Sequence, residues 1–549
     1  MRTYVTAIRA VLVLAVLLAP APGSAWEFSL FKQDFTLDVT NTLGYTYHFD
    51  NDNQYDDDDK YHQVLNVLDA SLSHGDLRLG GRFDLNLFAD TPADRLCGDS
   101  LSKPSWCGKR YENHFAAERL YLIVARPEFD VTMGDFYASL GRGMALNVVK
   151  LDELGQDTTI RGGKLVYHDH GMGLTFLAGE TNPLDVDTAT GYMAPWKAEP
   201  LLAGRLEYNI LEKVIAGAHA VYVIHDNPNS SGVAVARTDH DLVGGAGIEV
   251  PNLLDGALAF VGEFDLQRTV EQGQVIRGPD REGEGINGVA AYASATAQIG
   301  DLTLLGEYKY YDDFELKAPG NDPPYALLYH HPPTLERITA EVHDNTSVSG
   351  GRLRADYNLG QLGPVELLVF ANYGYFQDWA GGDYSIHDPH GGLELSWSEG
   401  EGKLQLESGL RRTFDEENGY VAYRDIHVEM DAEQPLASRH SLKLSWLLMQ
   451  RALKDQLSEL TWIEMDLALS YKWSPYLLLA VTFERQGDPR VVGDDPGNYY
   501  GGFVRYYITP SSYVTLRAGE NRGGIKCYLG TCRYVPQFSG VDVQAVVRF

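Results

Sequence analysis

Along most of this chain apolar and polar residues alternate with a period of two, the spacing at which successive side chains leave a strand on opposite faces. Near the C-terminus Val541, Val543, Ala545, Val547 and Phe549 fall on one face, and Asp542, Gln544 and Arg548 on the other. Ile463, Met465, Leu467, Leu469, Tyr471 and Trp473 alternate with Glu464, Asp466, Ala468, Ser470 and Lys472. Leu77, Leu79, Phe83, Leu85 and Leu87 are set against Arg78, Arg82, Asp84 and Asn86, and Leu302, Leu304, Tyr308 and Tyr310 against Thr303, Glu307 and Lys309. Each stretch predicts a strand with one oily and one wet face.

A soluble sandwich or propeller would alternate in the same way. Two features favour a membrane. The segments run to about 9 to 13 residues, which suits a tilted bilayer-crossing strand better than a strand of a soluble sheet. Their apolar faces also end in aromatics, as at Tyr471 and Trp473, where a membrane interface would lie. The expected fold is all-β: a single-chain, transmembrane, antiparallel β-barrel.

Connection lengths carry the same expectation, because an outer-membrane barrel has short turns at its periplasmic end and long loops outside. Short candidates are Ser73-His74-Gly75, Arg126-Pro127-Glu128, Gly300-Asp301, Ser474-Pro475 and Thr509-Pro510-Ser511. Long ones include Asn51 to Tyr61, Thr91 to His114, Asp185 to Pro200 and Phe314 to Ser349. Starting from a first strand near Phe35, the alternation gives about 24 strands, within a range of about 22 to 26. The parity holds if Leu140 to Asp157 is one connection; a paired strand at Met144 to Val149 would raise the count to about 26.

The composition agrees. There are 549 residues, 22% of them charged, and 33 Tyr outnumber 20 Phe and 8 Trp, a usage that favours extended and interfacial positions. Beyond the first 25 residues no apolar run approaches the roughly 20 residues of a membrane helix, which excludes a helical bundle. Arg2 and Arg9, the apolar Ala10 to Leu18 and the small residues Gly23-Ser24-Ala25 form an export signal. The expected organisation is a signal peptide at 1–25 and one barrel at 26–549.

The net charge is −31, which argues against nucleic acid or anionic lipid headgroups as partners. The four cysteines form two local pairs, Cys97 with Cys107 and Cys527 with Cys532. In an exported chain these are expected to be short-range disulfides; a metal site is the competing reading, but no His lies beside either pair. The aspartates of the 50–59 stretch, Asp50, Asp52 and Asp56 to Asp59, offer calcium-like oxygens, yet lack the Gly and terminal Glu of a helix-loop-helix site and fit a solvated loop. His168-Asp169-His170 and His330-His331 have no evident third ligand, so neither metal nor cofactor is expected.

The terminal run ending in Phe549 resembles the last strand of bacterial outer-membrane barrels, which the barrel-insertion machinery recognises. The segment Gly134-Asp135-Phe136-Tyr137-Ala138-Ser139-Leu140-Gly141-Arg142-Gly143 and the tail Cys527 to Pro536 resemble a family of bacterial outer-membrane barrels of uncharacterised function. The resemblance implies fold and an outer-membrane location and supplies no activity.

Gly141-Arg142-Gly143 opens a connection rich in Met144, Leu146, Val148 and Val149. Either this segment folds into the lumen and constricts it, with Arg142 facing acidic wall residues, or it is a tight turn whose glycines relieve strain. Wall acids expected to face the lumen are Asp84, Glu263, Asp265, Glu307, Glu464 and Asp466, opposed by Lys472, Arg78 and Arg82.

A barrel of this size has an interior that side chains lining its wall cannot fill. An N-terminal plug is disfavoured, since only Trp26 to Asp34 precede the first strand. The leading expectation is a passive or gated pore or translocation channel with a mildly cation-preferring lumen. A sheath around a lumenal or periplasmic partner protein, for example a multihaem cytochrome, is the alternative. So is a surface receptor or adhesin acting through long acidic loops, Phe314 to Ser349 foremost. No nucleophile elbow, zinc-protease or phosphate-loop motif is present, and an enzyme is not expected.

Overall fold

A computed structural model describes residues 25–51, 59–92, 110–151, 155–187, 191, 198–210, 213–271, 274–275, 287–316, 329–335, 346–379, 382–454, 458–492, 497–528, 531–535 and 537–549, with 227–237 excepted. Twenty-four antiparallel strands close into one barrel. The first eight are β1 (Gln33–His48), β2 (His62–His74), β3 (Leu77–Ala89), β4 (His114–Ala125), β5 (Phe129–Phe136), β6 (Gln156–Asp169), β7 (Met172–Pro183) and β8 (Pro200–Ile210). They continue as β9 (Val214–Asp226), β10 (Thr238–Leu253), β11 (Leu258–Glu271), β12 (Gly288–Ile299), β13 (Leu302–Asp312), β14 (Val348–Leu362), β15 (Val365–Asp378) and β16 (Tyr384–Trp397). The last are β17 (Gly402–Asp415), β18 (Tyr420–Ala437), β19 (His440–Lys454), β20 (Glu459–Trp473), β21 (Leu477–Gln486), β22 (Gly497–Tyr507), β23 (Tyr513–Asn521) and β24 (Phe538–Arg548).

Each strand pairs with its neighbours in sequence, and β24 pairs with both β23 and β1, from Thr40 opposite Arg548 to His48 opposite Gly540. Closure satisfies backbone groups that hydrocarbon could not solvate. At the seam Phe549 exchanges two backbone hydrogen bonds with Val39, and its ring lies 5.2 Å from that of Trp26. Trp26–Leu30 folds back on the start of β1 through a turn in which Phe31 and Lys32 both have positive φ.

The period of two sorts as expected. Outward residues such as Leu202, Leu206, Leu242, Phe264, Leu353, Ile463 and Val481 are exposed, forming the lipid-facing band. Tyr208, Tyr357, Trp473 and Tyr506 mark its edge at the short-turn end. All five short connections expected from sequence are turns between barrel strands. Leu146–Val148 pairs with Ala138–Leu140 and with no barrel neighbour in the wall order, so the count stays at 24.

Candidate functional site

Two connections turn inward from the long-loop end and meet inside the barrel. Segment I spans residues 137–151; segment II comprises Phe314 to Leu316 and Tyr329 to Leu335 among the described residues. Leu140, Met144, Leu146, Val148, Phe314, Leu316 and Tyr329 are buried, and they pack with inward wall residues including Ile160, Val221, Val223, Val243, Tyr311 and Phe376 in one apolar cluster. Burying Leu140, Met144 and Leu146 contributes roughly 2 kcal/mol each. The outer part of the lumen therefore holds an apolar core packed on one side of the wall.

The motif running from Gly134 to Gly143 builds segment I residue by residue. Gly134 has φ of +97°, and a Cβ there would lie 2.0 Å from the Leu120 carbonyl oxygen, so only glycine fits. That backbone places Asp135 to accept from Leu120 N–H at 2.7 Å and Asn182 Nδ2 at 2.8 Å, beside the Arg161 guanidinium. Tyr137 donates to Asp157 Oδ1 at 2.7 Å, tying the start of the segment to the beginning of β6. Asp157 also receives Arg82 at 3.0 Å and Arg119 at 3.2 Å, while Arg82 clasps Asp84 through two nitrogens. Four largely buried charges, each facing an opposite one, thus share a network with the partly exposed Tyr137. Burial beside Asp157 holds the Tyr137 hydroxyl well above its ordinary pKa, so it stays a donor.

The tip rests on the wall. Gly141, at φ of +64°, comes so close to β11 that a Cβ would sit 1.9 Å from Glu263 Oε1. The Arg142 N–H donates to Glu263 Oε2 at 2.8 Å, and the exposed Arg142 guanidinium lies 3.9 Å from Glu249. The two segments are stitched by backbone bonds: His331 N–H to the Gly143 carbonyl at 2.7 Å and Asn147 N–H to the Tyr329 carbonyl at 2.7 Å.

Segment II has its own anchors. Tyr329 donates to Glu199, whose other oxygen lies 3.1 Å from His225 Nδ1, and His225 Nε2 meets Asp241 at 2.8 Å. Tyr311 donates to the Pro333 carbonyl at 3.1 Å. Leu316 N–H donates to His330 Nε2 at 3.1 Å, which requires that nitrogen to be unprotonated. Burial pushes His330 down to about 3 and His331 down to about 4.

The six acids expected to face the lumen are each held by a charged or titratable neighbour. Four meet cations: Asp84 with Arg82, Glu307 with Arg352, Glu464 with Arg451 and Arg522, and Asp466 with Arg522. Glu263 and Asp265 meet His219. Below the segments a cavity of about 570 Å³ opens against β1 to β6 and the end of β24. Its lining carries Arg78, Arg82, Arg119, Lys150, Lys164 and Arg548 against four aspartates, so this part of the wall is locally basic within an acidic chain.

Of the connection Phe314 to Ser349, expected as a long outward loop, Phe314 to Leu316 and Tyr329 to Leu335 pack largely buried beside segment I, and residues 317–328 and 336–345 lie outside the described residues. Cys527 and Cys532 stand opposite one another in a hairpin of Gly524–Tyr528 and Thr531–Val535. Cys97, Cys107 and residues 1–24 lie outside the described residues, as does most of the acidic loop, of which Asp59 is buried and accepts from Asn51 N–H at 3.0 Å. His170 and Asp169 sit exposed at a short turn.

A closed 24-strand barrel with an apolar outer band is a protein of the bacterial outer membrane. No family model and no curated protein matches the chain. Among solved structures it is similar to OccK5 (OpdH) of Pseudomonas aeruginosa, with 13% identity over 72% of this chain and 96% of that one, at a TM-score of 0.37. The PapC-PapD-PapK-PapG assembly intermediate of the E. coli P pilus tip gives 10% identity over 96% of this chain and 62% of that one, at 0.47. The ferric enterobactin receptor PfeA of P. aeruginosa gives 10% over 93% and 80%, at 0.45. At these identities and scores none of the three assigns cargo or mechanism to this chain.

Proposed function

We propose that the protein is a gated outer-membrane pore for small hydrophilic solutes, with segments I and II as its gate and Gly141, Arg142 and Gly143 at its constriction. The observation that carries this reading is the joint docking of the two segments in the outer lumen, above a cavity of about 570 Å³. A gate needs one state held by contacts that can be given up together. The apolar cluster, the two stitching bonds and the Arg142 to Glu263 bond supply such a set. Because four of the six wall acids are neutralised by arginines, cation preference is mild.

A threaded partner protein would need the space that the segments occupy, which counts against a sheath. Lipid and the insertion machinery that reads Phe549 are the partners this reading requires, and it requires no enzymatic activity or bound cofactor.

Planar-bilayer recording tests the proposal. The intact protein should show small or infrequent conductance steps. Replacing Met144 to Val148 with Gly and Ser should enlarge them several-fold, with a reversal potential in a salt gradient modestly on the cation side. Equal conductance in the two proteins, or silence in both, overturns the gate.

A further inference from the structure

We propose that His219, Glu263 and Asp265 form a divalent transition-metal site in the wall directly behind the tip of segment I. His219 on β9, Gly245 on β10 and Asp265 on β11 stand in one row across the sheet. The middle position has no side chain, and a Cβ there would lie 1.9 Å from Asp265 Oδ1. The missing side chain is what lets His219 reach across β10 to β11. Its Nε2 lies 2.5 Å from Asp265 Oδ1 and 4.0 Å from Glu263 Oε1, and one ligand atom from each of the three residues falls within 4.8 Å of the others.

The charges call for a cation. The side chains of His219, Glu263 and Asp265 are 2%, 5% and 0% exposed. Glu263 Oε1 and Asp265 Oδ2 are buried with no hydrogen-bond partner. Among the described residues no Lys or Arg lies within ion-pair distance of either carboxylate; His219 faces both, and the two carboxyl groups face each other. Adjacent carboxylate oxygens removed from water without a partner are costly, and a metal ion offsets both at once.

One imidazole and two carboxylates suit Zn²⁺ and similar borderline ions. Metal–ligand bonds of about 2.0 to 2.2 Å hold ligand atoms roughly 3 to 3.5 Å apart. The His219 to Asp265 contact would open slightly and the His219 to Glu263 gap would close, each by less than about 1 Å. Arg142 N–H already holds the other oxygen of Glu263, orienting the ligand from the gate side. Metal binding therefore stiffens the seat of segment I; this last consequence alone rests on the gated-pore reading.

The test counts metal without recording current. The full-length barrel, folded in detergent, is equilibrated with Zn²⁺, gel-filtered and assayed for bound metal; Co²⁺ serves as a spectroscopic probe through its d–d bands. The wild type should retain about one equivalent of Zn²⁺ and show a low-symmetry Co²⁺ spectrum. His219→Ala and Asp265→Asn should lose both, whereas His114→Ala, in the separate His114, Glu118 and Asp185 group, should retain both. Heat-modified mobility confirms a folded barrel, and Glu263→Gln, close in volume, replaces any variant that fails it. No retained metal in the wild type, or equal retention in wild type and folded variants, overturns the site. A metal-loaded barrel whose conductance does not change would remove the gating consequence and leave the site intact.

Discussion

The N–H of His331 donates to the carbonyl of Gly143 at 2.7 Å, joining segment I, in the first half of the chain, to segment II, in the second. Both segments contribute to a single apolar cluster with the wall. Substitutions at one should therefore be felt at both.

Gly141→Val tests the seat on β11. The substitution demands a β-branched residue at φ of +64° and puts a Cβ where Glu263 Oε1 now lies. Backbone strain of this kind costs about 1 to 3 kcal/mol, enough to raise the undocked fraction about tenfold. Open probability in bilayers and proteolysis near Met144 should both increase, while barrel yield should not change.

Acid should loosen the gate. Undocked and solvated, His330 and His331 would titrate near 6.5; docked, they are depressed to about 3 and about 4. Docking stability is complete above pH 6.5 and declines as the pH falls toward these lower values, because only the undocked segment takes up the proton. At pH 5 each histidine withdraws about 2 kcal/mol from docking. Conductance measured between pH 7.5 and 5 should rise steeply, and His330→Gln should flatten the profile.

Asp157→Asn attacks the network that joins the start of segment I to the beginning of β6. Arg119 loses its ionic partner there, Arg82 keeps only Asp84, and Tyr137 retains at best a weaker acceptor. Breaking a buried ion pair from one side costs about 3 to 5 kcal/mol. Thermal unfolding followed by the heat-modified mobility shift should move to markedly lower temperature.

Deleting Phe549 removes two backbone bonds to Val39 and the ring packed on Trp26. The barrel should still be able to close through the remaining β1 to β24 register, so the expected effect is slower insertion and a smaller folded fraction in membranes. A normal rate of appearance of the folded form would show that the terminal ring is dispensable.

Most of the barrel was legible because lipid and water impose a strict alternation, and strands such as Glu459–Trp473 obey it over their length. It was obscured where the gate docks. Val221 and Val223 on β9 are inward yet buried against the segments, so Ala220-Val221-Tyr222-Val223-Ile224 is apolar on both faces. That run was the available signal for an apolar body inside the lumen. Segment I could be suspected from its glycines and apolar content, whereas segment II was hidden in a long connection whose length suggested exposure. The role of Gly245 could not be found from sequence at all, since it exists only through the lateral register of three strands.

Segments I and II each leave one barrel strand and return to the next, so they are tethered at two points. A body held in this way can swing aside or slacken but cannot depart, and its displaced residues stay near the mouth. In the pore proposed above, passage would be graded by how far the tethers yield, and every solute would cross beside the two segments.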